Sequence, residues 1–260
     1  MAQNQAATGQ RTEIRIVILQ ILLAIALIAL WEWAGRATGG NWSSKPSDIA
    51  VRIVQWARTD LWLHIGVTLL EIAIGLAVGG TAGVIMGLIL GRTKVLSVVL
   101  RPIIVGFYSV PIVTLAPLLI LWFGLDLAPK IVLVTISSFF LLFFNTFAGV
   151  QAIDRDVILS MRLMGARRSE EFRNVSAPGA MPWIVSGFKI AVPYSFAAAV
   201  TGELLAAREG MGSLLSKSAA QFDMTGLYSA LLVLMVLGIV SSAAMSGVER
   251  WLLRWRAGAT

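Results

Sequence analysis

The chain contains no cysteine and a single histidine, His64. Without thiols there are no disulfides and no thiolate metal sites. A lone imidazole with no clustered carboxylates makes no metal centre either, and His64 is expected as an interfacial residue at the end of an apolar run. Charge is scarce as well. Asp, Glu, Lys and Arg make up 13% of the 260 residues, well below the quarter or so usual in a soluble domain. Nothing matches the G-x-x-x-x-G-K-[ST] phosphate loop, so ATP is not bound by that route. No His, Cys or carboxylates gather at one depth, which counts against a membrane enzyme.

What is abundant is apolar. The chain is 57% hydrophobic, with a mean hydropathy of +0.82. Six runs are long enough to cross a bilayer: 16–34, 66–90, 103–123, 131–151, 183–204 and 227–248. The fold class is therefore an all-α membrane protein with six transmembrane helices. The first run is long for the apolar core of a signal peptide, and no small-residue cleavage site clearly follows it, so it is expected to be a retained span. This gives a polar N-terminal tail over 1–15, one transmembrane domain over 16–256 and a short tail at 257–260. Residues 41–65 alternate polar positions with Trp and Ile at roughly helical spacing. They predict an interfacial amphipathic helix after Pro46.

The formal charge is +7 and the isoelectric point about 10.4. Nucleic-acid binding is one reading of so basic a chain. Positive-inside topology fits better, because the charges sit at the ends of the runs. With both termini cytoplasmic, 13 Lys and Arg fall on inner segments and 7 on outer ones, with Lys189 inside a span. Residues 151–182 are then cytoplasmic. Trp31, Trp33 and Trp122 mark outer ends, and Trp183 and Trp251 inner ends.

Inside the spans, Gly75, Gly79, Gly83, Gly87 and Gly91 recur every fourth residue and line one helix face, for close helix packing or for sliding. Pro102, Pro111 and Pro117 break or kink the third run. A discontinuous helix in a membrane points to a substrate path. Candidate path residues are Phe107, Tyr108, Ser109, Pro111, Thr114 and Pro117, with Ser195 and Glu203 from the fifth run. Glu203 would line an outer vestibule or be a helix-end charge. Glu71 is an ionisable residue inside a span, either functional or paired locally near the headgroups. Lys189 is expected to snorkel toward the cytoplasm.

The segment 151–182 carries the most information: it is polar, Arg-rich and divided by Gly165 and Pro178. Gly165 is followed by nine residues and then Val175-Ser176-Ala177-Pro178. This resembles the cytoplasmic loop of ABC-importer permeases, whose pattern is E-A-A, three residues, Gly, nine residues, I-x-L-P. The Gly-to-Pro spacing matches. Leu159, Ser160 and Met161 stand where the family has Glu-Ala-Ala, and Ala177 stands where it has Leu. The stretches 111–156 and 202–215 resemble the nitrate, sulfonate and taurine branch of the same family.

The resemblance implies a type I ABC-importer-like permease in the bacterial cytoplasmic membrane, working as a pair with a second permease copy, expected as a homodimer. Two ATPase subunits would dock on the cytoplasmic side, and a periplasmic or lipid-anchored binding protein would deliver solute. No cofactor is expected on this chain; ATP and Mg belong to the ATPase, and the chain itself is no enzyme. A short coupling helix around Ser160–Arg168 would enter a groove of the ATPase and move as a lever for alternating access. Gly165 would permit a close approach or sharp turn. The expected coupling residues are Leu159, Ser160, Met161, Arg162, Gly165, Ala166, Arg167, Arg168, Glu170 and Pro178. Arg162, Arg167 and Arg168 would pair with acidic groups on the ATPase, and Glu170 or Glu171 would replace the acid missing at Leu159. The implied solute is a small anion of the sulfonate, taurine or nitrate class, with a thiamine pyrimidine precursor as the alternative. An ATP-independent channel or secondary carrier is the competing function, disfavoured because Glu71 is the main intramembrane candidate for ion coupling.

Overall fold

The computed structural model describes residues 2–37 and 44–254. The 257–260 tail lies outside the described residues. All regular structure among the described residues is helical: α1 (Ala2–Ala37), α2 (Pro46–Ala57), α3 (Leu61–Arg92), α4 (Lys94–Tyr108), α5 (Ile112–Phe123), α6 (Leu127–Gln151), α7 (Arg155–Leu163), α8 (Arg168–Glu171), α9 (Ala177–Ala206), α10 (Met211–Ala220) and α11 (Met224–Leu252). A π-helical turn, Phe172–Ser176, joins α8 to α9.

Five helical segments are long and apolar enough to span a membrane by themselves: Ile18–Ala37, Leu61–Arg92, Leu127–Gln151, Arg168–Leu205 and Met224–Leu252. The third apolar run is different. It is expected as one kinked span, and the structure breaks it into α4 and α5, bent by 86°. The break falls at Pro111, which has no N–H to continue a helix. The frayed ends are closed locally. The Ser109 hydroxyl donates to the Val105 carbonyl at 2.8 Å, and the Thr114 hydroxyl donates to the Pro111 carbonyl at 2.7 Å. Pro102 and Pro117 sit inside α4 and α5 without ending them.

The glycine face of α3 meets α6. A Cβ on Gly75 would strike Val134, one on Gly79 or Gly83 would strike the backbone carbonyl of Thr135 or Phe139, and one on Gly87 or Gly91 would strike Thr146 or Val150. The spacing therefore serves close backbone approach, which in lipid gains dispersion contact that apolar burial alone does not provide. Phe143 and Phe147 continue the seam toward Leu90 of α3. On its other side α6 packs on α9 through a core of Ile72, Val134, Val192, Phe196 and Ala199.

The helix expected after Pro46 forms as α2. Arg52 pairs with Asp223 at 2.5 Å and Ser44 bonds Thr225 at 2.9 Å, which fasten α2 to the start of α11. Helix α10 has no counterpart among the expected elements. It folds back over α3 and α11, burying Met211 and Leu214 against Leu61, Ala230 and Val233. The outward faces of the long helices remain apolar, as lipid-facing surfaces should; Leu19, Leu23 and Leu30 of α1 and Ile239 and Val240 of α11 are exposed.

Candidate translocation path and coupling segment

Helix α6 leads directly into the polar segment. Asp154 caps α7 by accepting the Asp156 N–H at 2.9 Å. Helix α7 then runs Arg155–Leu163, about five residues earlier than the Ser160–Arg168 helix expected. It stops at a left-handed glycine: Gly165 has φ +82°. The Ala166 N–H reaches back to the Met161 carbonyl at 3.1 Å and the Gly165 N–H to Arg162 at 3.0 Å. This double closure satisfies the terminal carbonyls and requires a residue that tolerates positive φ. The sharp turn expected of Gly165 is thus present.

No residue of α7 is buried. Leu159 is exposed, and Leu163 and the following Met164 are 82% and 77% exposed. Ser160 turns its hydroxyl to the Asp156 carbonyl. Met161 and Ala166 are half-buried, and Arg167 and Arg168 are exposed. Glu170 accepts the Arg167 N–H at 2.7 Å and so caps α8. Pro178 enters α9 in its first turn, where a missing N–H costs no hydrogen bond.

Arg162, whose side chain is 58% exposed, has a partner within the chain. Its Nε and Nη2 donate to the Glu171 carboxylate at 3.0 and 3.2 Å. Hydrogen bonding to Glu171 and its negative charge push the Arg162 pKa above its ordinary value, so the guanidinium is firmly charged. Glu171, not Glu170, is the buried acid, and Arg92 also approaches it at 3.8 Å. Sequence spacing conceals this pair, because the two residues are nine apart and meet only when Gly165 reverses the chain.

The α4–α5 break opens a cavity of about 230 Å³. Phe107, Tyr108, Ser109 and Pro111 line it, together with Ser137, Phe140 and Tyr194. Tyr108 stacks edge-on against Phe144 at 5.1 Å. Among the described residues, no charged side chain lines this cavity. Four of the eight expected path residues are therefore brought together. Thr114 and Pro117 lie outside the lining, on the exposed side of α5. Ser195 is fully buried and bonded to Ser138 at 3.1 Å and the Ala191 carbonyl at 2.8 Å; its neighbour Tyr194 faces the cavity instead. Ser137, Phe140 and Tyr194 escaped the sequence reading. The one signal was the hydroxyl pair Ser137-Ser138 within an otherwise apolar run.

Glu203, expected at an outer vestibule or as a helix-end charge, is buried among polar partners. It lies 1% exposed in a polar cluster at the N-terminal end of α6, the end opposite α7. Thr68 donates to its Oε1 and the Gly212 N–H to its Oε2, both at 2.6 Å. The Met211 N–H donates to Thr68, and the Gly210 N–H donates to His64 Nδ1, both at 2.9 Å. His64 is thus a buried clamp on the start of α10 rather than an interfacial side chain. Gly210 has φ +109°, and a Cβ there would strike the Glu203 carboxylate. Nearby, Lys130 Nζ lies 2.7 Å from Glu71 Oε1, and both residues are buried. Glu71 is paired, as one of its two readings had it, though inside the protein rather than among headgroups. Glu71 Oε2 has no hydrogen-bond partner among the described residues. Lys189 pairs with Glu249 of α11 at 2.6 Å instead of reaching free toward the membrane surface.

The sequence pattern described as "binding-protein-dependent transport system inner membrane component" matches residues 79–254. The formylaminopyrimidine transport permease protein ThiX of Halalkalibacterium halodurans is 30% identical over 236 residues, covering 90% of this chain and 94% of that protein. The putative aliphatic sulfonates transport permease protein SsuC of Escherichia coli is 31% identical over 237 residues, covering 90% of each. Among solved structures, an inward-facing MetNI methionine ABC transporter superposes with a TM-score of 0.60 at 20% identity, covering 73% of this chain and 92% of that one.

Proposed function

Because this chain belongs to the family of binding-protein-dependent transport system inner membrane components, and so is the non-catalytic permease subunit of an ABC importer, we propose that its solute is a small, flat heteroaromatic molecule of the formylaminopyrimidine class. The observation that carries this reading is the lining of the cavity at the α4–α5 break. Phe107, Tyr108, Phe140 and Tyr194 offer aromatic faces, and Ser109 and Ser137 offer hydroxyls for ring nitrogens or an amide. The volume of about 230 Å³ is below the usual range for drug-sized ligands and suits a single ring. An anion read from the sequence has no cation to meet there. The relative named for formylaminopyrimidine supports the same class, whereas the relative named for sulfonates supports the anion.

The force that opens the path would enter at α7. Leu159 and Leu163 of α7 and the following Met164, flanked by Arg167, form an exposed apolar knob suited to a groove on the ATPase. Helix α7 follows α6 directly, and α6 lines the cavity. A displacement of α7 is therefore carried into Ser137 and Phe140 through one rigid helix. A second permease copy and a solute-binding protein complete the assembly in this reading, with both termini and the 151–182 segment on the cytoplasmic side.

The test is uptake by a strain that depends on this permease and its neighbouring binding protein. Labelled formylaminopyrimidine should accumulate, and deleting the permease should abolish the accumulation. Accumulation of an alkanesulfonate with no response to the pyrimidine would overturn the solute class. Uptake that survives ATP depletion but collapses with the ion gradient would favour a secondary carrier.

A further inference from the structure

A larger cavity, about 720 Å³, lies between the C-terminal half of α3 and the α7–α8 turn. Solute need not reach it, since it opens well away from the α4–α5 break. Its lining changes character along α3. Ile85, Leu88 and Ile89 form one end, and Arg92, Thr93, Arg162, Arg168 and Ser169 form the other. Ile85 and Arg92 are seven residues apart, about 10 Å along a helix. The lining thus passes from apolar to basic along the last turns of α3, a helix long and apolar enough to span a membrane.

The charge at that margin is unbalanced. Three arginines surround one carboxylate, Glu171. Arg162 spends Nε and Nη2 on it, and Arg92 gives Nη2 to the Arg168 carbonyl at 3.1 Å while its plane lies 4.8 Å from the Phe172 ring. The Arg168 guanidinium makes no hydrogen bond among the described residues. A fork of unused donors thus stands above an apolar slot.

We propose that this cavity holds one anionic phospholipid, its phosphate bound by Arg168 with Arg92 and Ser169, and an acyl chain laid along Ile85 and Ile89. A soluble anion would explain the arginines but leave the apolar slot empty. A zwitterionic lipid would bring its own cation beside three arginines whose one carboxylate, Glu171, is already held by Arg162. The polar-to-apolar gradient runs along α3, a candidate membrane span, as a lipid would lie, which an acidic groove on a soluble partner would not require. Arg168 then anchors the α7–α8 turn to the bilayer, leaving Arg167 and the apolar knob of α7 for the ATPase. This site is independent of the transported solute.

The full chain, purified in neutral detergent and washed free of lipid, can be titrated with phosphatidylglycerol or phosphatidylcholine and read by native mass spectrometry. One phosphatidylglycerol per chain should be retained, about fivefold or more in preference to phosphatidylcholine, the factor expected from one basic contact. Arg168→Gln should lower that occupancy by about fivefold. Ile89→Trp, which fills the slot and leaves the charges in place, should lower it comparably. Excess inorganic phosphate should not displace the lipid. Wild-type retention by R168Q, equal binding of the two lipids, full occupancy in I89W, or displacement by phosphate would each overturn the proposal, the last two by showing a soluble-anion site.

Discussion

The two ends of α6 carry the same pairing, a glutamate held by a cation, in opposite surroundings. Near the N-terminal end, Lys130 and Glu71 are buried together beside Glu203, inside helices. Beyond the C-terminal end, Arg162 and Glu171 meet at a turn where the arginine side chain is 58% exposed and a second arginine stands by. In the first place neither partner can be re-solvated if the other is lost. In the second, water and Arg92 stand ready. The buried cluster welds α10 to α3 and α9. The half-exposed pair shapes the segment that the proposed function assigns to the ATPase.

Lys130→Met is expected to break the comparison most severely. It strands Glu71 and Glu203 in the interior and should cost about 3–5 kcal/mol, seen as a large fall in thermal unfolding temperature in detergent. Combining it with Glu71→Leu should recover most of the loss; no recovery would show that Lys130 acts through something other than the ion pair. The glycine seam comes next. Gly79→Leu drives a side chain into the Thr135 carbonyl and should cost about 1–3 kcal/mol. Gly66→Ala on the same helix, with nothing within 4 Å, should be neutral or stabilising by up to about 1 kcal/mol. Equal effects at the two glycines would count against close backbone approach as the purpose of the repeat.

At the proposed coupling end, Leu163→Asp should leave the unfolding temperature where it is, since the side chain is exposed, yet weaken ATPase association about tenfold or more. Unchanged co-purification of the ATPase would remove α7 from the docking surface. The smallest effect is expected from Arg162→Gln. Arg92 remains beside Glu171, so unfolding should shift little; a loss as large as that of K130M would erase the distinction between the two ends.

Much of the frame was legible because lipid imposes strong rules on sequence. Backbone groups in a bilayer must be satisfied within a helix, so long apolar runs report spans directly. Five of the six runs are single long helices, α2 begins at Pro46, and the four-residue glycine spacing is the α3–α6 seam. What escaped depends on contacts between distant segments. His64 reads as interfacial until α10 folds over it and offers the Gly210 N–H. Helix α10 itself is only ten residues long, and it is held by the Met211 and Gly212 N–H groups bonding Thr68 of α3 and Glu203 of α9 and by the packing of Met211 and Leu214. The Arg162–Glu171 pair requires the reversal at Gly165. Proline marked the third run as irregular, but an 86° break rather than a kink follows from how α5 packs on α6. For the same reason the path was half legible: Phe107 to Pro111 sit at the break, whereas Ser137, Phe140 and Tyr194 come from helices that only the packed fold brings there.

The absence of native cysteine makes the central claim directly measurable. A single thiol placed by L163C on α7 can be compared with one placed by L121C near the end of α5, also highly exposed and adjoining the opposite end of α6. In membranes containing the assembled importer, a short reagent that is thiol-directed at one end and photoreactive at the other should join L163C to the ATPase and arrest ATP-driven uptake, while L121C should yield no such product and uptake should continue. A crosslink to the ATPase from L121C, or none from L163C with the ATPase bound, would contradict the account.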